Sequence, residues 1–146
     1  MAHLRKQIRD QVITTLTGLA TTGTNVFRSR VYNNEASNLP CLCVYTLSEN
    51  IEDATLSPVK YERALELAVE GYAKATSNID DTLDQIALEV EEALAADLTL
   101  NSLALDCALQ STEINLIGDG DQPIGAIRLS FEIHYRTRAD DVETSG

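Results

Sequence analysis

The sequence predicts an α+β domain: an antiparallel-rich sheet of about five strands with two α-helices packed on it. Three observations carry this. Residues 61–73 alternate strictly and then give way at Ile79 to apolar residues three and four apart, so a strand feeds a helix. Along the chain the elements run helix, strand, strand, strand, helix, strand, strand, which is the order of a sheet with helices laid on it. Finally, 44% of the 146 residues are hydrophobic, enough for one core and too many for general disorder.

Leu4, Ile8, Val12, Leu16 and Leu19 form the first helical stripe, and the breaker cluster Thr21-Thr22-Gly23-Thr24 predicts its end near residue 19. The helix is basic but short and has no aromatic anchor, so it reads as a core-packing helix rather than a membrane-surface one. Residues 25–32 alternate as a strand, with Val26, Arg28 and Arg30 on one face. A polar loop runs to Pro40, and Cys41 to Leu47 is the second strand. Ser48 to Lys60 is either a long loop or the tip of a hairpin with arms 41–48 and 60–74.

In the third strand Leu65, Leu67 and Val69 mark the buried face, while Glu62, Glu66 and Glu70 mark the wetter one. The second helix carries Ile79, Leu83, Ile86, Ala87, Val90, Ala93 and Leu94 on one stripe, with Ser77 as its expected N-cap and Asp80 and Asp81 where the helix dipole favours negative charge. Leu103, Leu105, Cys107 and Leu109 alternate as a fourth strand, and the apolar parity shifts before Ile114, which predicts a bulge. Gly118 to Pro123 is a turn on composition, and Ile124 to Arg136 the closing strand of a hairpin. The expected domain is 1–137, followed by a flexible tail, 138–146, with almost no apolar content.

Charge is unevenly placed. Residues 1–31 carry five basic and one acidic side chain, net +4, whereas residues 32–122 carry three basic and eighteen acidic, net −15. An acidic middle excludes ordinary nucleic-acid binding, which neutralises phosphates with Lys and Arg. The contrast between the two sections lets copies of the chain attract one another. No apolar run approaches the roughly 20 residues of a membrane span, and the N-terminus lacks the apolar block of a signal peptide, so the expected compartment is the cytoplasm.

Catalytic signatures are missing from the sequence. Cys41, Cys43 and Cys107 are an odd number without a second Cys pair, and read as small buried thiols rather than disulfides or a metal site. Gly118-Asp119-Gly120-Asp121 is too short for a calcium loop. His134 stands beside Glu132 on a polar strand face and reads as a solvated or ion-paired histidine. The carboxylates of the second helix read as a solvated acidic face. The residues alone therefore stop at an α+β domain with no catalytic, metal or cofactor site, and a tendency to self-associate.

The whole pattern resembles the tail terminator family of long-tailed bacteriophages, the lambda-type minor tail proteins. The resemblance rests on the helix around Ile8, Val12 and Leu16 and the strands Val26-Phe27-Arg28-Ser29-Arg30-Val31 and Leu39-Pro40-Cys41-Leu42-Cys43-Val44-Tyr45. It rests further on the strand from Arg63 to Tyr72 that runs into Asp80-Asp81-Thr82-Leu83-Asp84-Gln85-Ile86-Ala87, and on the closing strand from Ile127 to Tyr135. It implies a virion protein at the head-proximal end of the tail, assembled in the host cytoplasm. There, a homo-oligomeric ring, usually of six subunits, binds the end of the tail tube and stops its polymerisation. The ring also meets a head or neck connector protein and lets DNA pass without specific binding. Related head–tail completion proteins share the texture, and a small ligand-binding α+β domain is the alternative from another class. Within this reading Ser48–Lys60 is expected to contact the tube or a neighbouring subunit through the exposed charges Glu49, Glu52 and Asp53 and the apolar anchors Ile51 and Leu56. Arg28 and Arg30 are expected to meet carboxylates across subunits.

Overall fold

Two amphipathic helices and a set of alternating strands can bury their apolar sides only against one another. In the computed structural model, which describes residues 3–28, 40–56, 59–74, 78–117 and 124–143, they do so on one side of a single sheet. The elements are α1 (Leu4–Leu16), β1 (Val26–Phe27), β2 (Cys41–Leu56), β3 (Val59–Lys74), α2 (Ile79–Ala95), β4 (Asp106–Ile117) and β5 (Ile124–Arg138). The strand order is β1-β2-β3-β5-β4. All neighbours are antiparallel except β1 and β2, which run parallel, so the sheet is mixed where a mostly antiparallel one was expected.

The expected stripes are the buried ones. Leu4, Ile8, Val12 and Leu16 of α1 and Leu83, Ile86, Val90 and Leu94 of α2 pack on Leu65, Leu67 and Val69 of β3 and Leu129, Phe131 and Ile133 of β5. Close approach needs glycine at two points. A Cβ on Gly71 would stand 2.7 Å from Ile86 Cγ2, and one on Gly125 would stand 2.5 Å from Ile79 Cγ1. The opposite face is polar over most of its area but holds a second small cluster of Cys41, Cys43, Tyr72, Ile124 and Ala126 at one end. The three thiols are free and buried, as expected of small core residues. Cys41 beside it and burial both raise Cys43, and burial pushes Cys107 up to about 11.

Several boundaries differ from the sequence reading. α1 ends at Leu16, and Leu19 is only partly buried, outside the helix. His3 caps α1, its Nδ1 accepting from Arg5 N–H at 3.0 Å. Of the predicted strand 25–32 only Val26–Phe27 pairs among the described residues; 29–32 lie outside them, as do Ser77 and the turn 118–123. Asn78, rather than Ser77, occupies the cap position of α2. Of the two readings of 48–60, the hairpin holds and the loop does not, with arms longer than expected: β2 and β3 stay paired out to Leu56 and Val59.

β4 starts only at Asp106, because Leu100, Asn101 and Ser102 form a left-handed turn with φ between 51° and 67°. Such backbone is costly for residues with a Cβ; here Leu100 is fully buried, and Asn101 N–H donates to Asp97 Oδ2 at 2.8 Å. The predicted bulge in β4 falls between Leu109 and Ser111. The first residues past β5 turn back over α1: Leu4 N–H donates to Val142 O at 2.7 Å and Gln7 Nε2 to Glu143 O at 2.7 Å.

Candidate assembly surfaces

β2 begins as expected, with Leu42 and Val44 facing the helices across from Gly71 and Val69. A bulge between Thr46 and Ser48 then shifts the pairing by one residue. A one-residue shift exchanges the faces of everything beyond it. Glu49 therefore lies opposite Leu65, on the helix side of the sheet, instead of in water.

This corrects the expectation that Glu49 is an exposed charge. Its side chain is 7% exposed and takes the Arg63 guanidinium at 2.9 Å and the Arg5 guanidinium at 2.7 Å, both on Oε2. The Tyr135 hydroxyl donates to Oε1. Arg63, equally buried, also donates from Nε to Thr137 Oγ1 at 3.0 Å and lies over the rings of Tyr61 and Tyr135. Burial and then the Glu49 hydrogen bond push the Tyr135 phenol up. A buried carboxylate with two guanidiniums and a phenol leaves no unpaired charge, and it ties the start of α1 to the root of the hairpin. The sequence reading missed this group because it treated 48–60 as solvated. The signal available was Arg63, a cation in line with Leu65, Leu67 and Val69 on the apolar face.

The rest of the hairpin reaches past both helices. Ile51 is 51% exposed, on the helix side but beyond their cover, and Glu52 is exposed across from Glu62. Asp53 and Leu56 lie in the backbone ladder opposite Tyr61 and Val59; their side chains fall outside the described part. On the open face Asn50, Glu52, Glu62, Ala64, Glu132 and His134 surround a shallow depression of about 250 Å³. His134 Nε2 stands 2.6 Å from Glu132 Oε1, and Nδ1 3.5 Å from Asp106 Oδ1. The Glu132 hydrogen bond, with Asp106 and Glu62 nearby, raises the imidazole above its usual range against partial desolvation. As expected, His134 is an ion-paired surface histidine. Among the described residues no three His, Cys, Asp or Glu side chains gather as a metal site.

At the other end of the sheet, Arg28 follows β1 and pairs with Asp10 of α1 in the same chain. Lys6 holds the second oxygen of that carboxylate at 2.8 Å, and these cations keep Asp10 below the ordinary carboxylate range, the Lys6 hydrogen bond foremost. Arg30 lies outside the described residues. The two arginines proposed as a pair are therefore represented by one, and that one already has an internal partner.

A sheet clothed on one side, with a projecting hairpin and oppositely charged ends, offers surfaces rather than a cleft. Comparison with known proteins gives the class: a structural protein of phage tails. More narrowly, the chain belongs to the phage minor tail protein U family, whose model matches residues 3–135. Among solved structures it is similar to a chain from the virion of native gene transfer agent (GTA) particle, at 15% identity over 92% of each chain with a TM-score of 0.42. No curated protein matches it.

Proposed function

We propose that this protein is a tail terminator: a non-enzymatic ring, of six copies in the simplest case, seated on the head-proximal end of the tail tube. It halts addition of tube subunits and offers its other side to the head or neck, while DNA passes through a bore it does not grip. The observation that carries this reading is membership of the minor tail protein U family across residues 3–135. Physical support comes from charge and shape. A chain at net −12 suits a conduit that must release DNA. A closed ring uses two different patches per subunit, and the chain has a basic start and an acidic middle section.

The β2–β3 hairpin tip contacts the tube or a neighbouring copy in this reading, with Ile51 as an apolar anchor and Glu52 and Asp53 beside it. Leu56 adds a second anchor, and Arg28 with Arg30 supplies cations to a neighbour's carboxylates. The hairpin test follows from the register. Ile51 pairs with Arg63, so replacing Glu52–Glu62 with Asn-Gly closes the strands with a two-residue turn and keeps the Glu49–Arg63 pair. Particles made with the shortened chain are expected to carry tails of uncontrolled length by electron microscopy. Tails of normal length would remove the hairpin from the proposal.

A further inference from the structure

β4 is the outer strand of the sheet, long, lightly guarded, and with exposed apolar side chains on the helix side. Leu109, Ile114 and Leu116 face the helix side opposite Phe131, Ile127 and Gly125, yet they are 39%, 49% and 70% exposed. Edge strands that must stay alone often carry Lys or Pro; β4 has neither across its 12 residues, and its guards are its bulge and the two charges Asp106 and Glu113. With only Thr112 between Leu109 and Ile114 on that face, an exposed apolar row of this kind marks an interaction surface.

The wall beside this row is acidic. Glu89 of α2 turns toward the segment after α1, where it accepts from Thr21 N–H at 2.8 Å and from the Thr21 hydroxyl at 2.6 Å. Helical spacing puts Asp80, Asp84, Ala87 and Glu91 on the opposite flank, the one nearer β4. At the far edge of the molecule the signs are reversed. The Arg28–Asp10 pair fixes which flank of α1 faces the β1 edge, and that flank carries Lys6, Arg9 and Asp10, whose carboxylate holds both Lys6 and Arg28. Arg9 has no partner among the described residues.

We propose that β4 and the adjoining flank of α2 form the docking surface for a second copy of this chain, which presents the basic flank of its α1. The occupant is argued from charge complementarity: three carboxylates beside the apolar residues at one end meet Lys6, Arg9 and Arg28 at the other, a surface that stays net positive after Asp10 takes its share. The two surfaces differ and lie at opposite edges of one sheet, so the contact is head-to-tail and can close into a ring. This deepens the ring reading and rests on it.

Sedimentation velocity of the full chain over a concentration series tests the contact. The wild-type chain gains mass with concentration. Ile114→Lys with Leu116→Lys weakens that association by about 100-fold or more, with the far-ultraviolet circular dichroism unchanged because both side chains start exposed. Lys6→Glu with Arg9→Glu does the same from the other side. Mixed together, the two variants retain one intact pair of surfaces and form a dimer that grows no further. A wild-type chain that stays monomeric throughout, a β4 variant that associates like wild type, or a mixture without dimer overturns the proposal. A β4 variant that self-associates normally but is missing from particles gives the surface to another virion protein, and also overturns it. None of these results decides termination, which is read from tail length with the hairpin variant.

Discussion

β3 and β4 carry similar apolar alternation on the same face of one sheet, and they meet opposite fates. Leu67 of β3 is fully buried, whereas Ile114 of β4 is half in water. The difference is place in the sheet order. β3 lies between β2 and β5 beneath both helices, and β4 lies outside β5, where only its start, at Cys107, joins the core under α2. Alternation reports that a strand has an apolar side, not whether the chain itself covers that side.

The comparison can be broken hardest at Glu49. Glu49→Ala strands the buried Arg63 guanidinium without its carboxylate, and urea unfolding is expected to show a loss of about 3–5 kcal/mol. Glu49→Ala that unfolds like wild type would mean that Arg63 finds water and that the helix side is not closed at the hairpin root. Next comes the pair of strands. Leu67→Ala should cost about 2–5 kcal/mol as a buried large-to-small change, and Ile114→Ala in the isolated chain less than about 1 kcal/mol. Equal losses would show that β4 is covered after all.

The smallest effect concerns His134, on the open face. Its folded-state pKa is raised, so its contribution is complete below the ordinary value of 6.5 and is lost as pH rises through the folded value. The side chain is 41% exposed, which limits the contribution to below about 0.5 kcal/mol. An NMR titration of the imidazole should give a midpoint above that of a free histidine, and Glu132→Gln should bring it down. A midpoint at or below the free value would mean the Glu132 contact does not persist in solution.

Much of this was legible in the residues. The stripe of α2 was readable because Leu83, Ile86, Val90 and Leu94 obey a period that only a helix satisfies. The β4 bulge was readable because apolar residues switch parity on either side of it. The bulge at Thr46–Ser48 was not, since the residues beyond it are mostly polar and no run of apolar side chains betrays the change of face. That is why Glu49 read as exposed. The parallel pairing of β1 was hidden for another reason: two residues hold too little pattern to give a direction. The candidate surfaces were half legible, since the uneven charge pointed to self-association but nothing local said that β4 would be an edge.

The displaced residue near Leu47 acts on the sheet as a frameshift acts on a gene. Were Leu47 taken into a regular ladder, every downstream side chain would stay intact and stand on the wrong side: Ser48 toward Leu65, Asn50 toward Arg63, and Glu49 into solvent. Substitutions along the hairpin can be conservative or drastic one at a time. The register between Val44 and Glu49 has no such latitude, because a single step in pairing decides which charges the molecule keeps and which it shows.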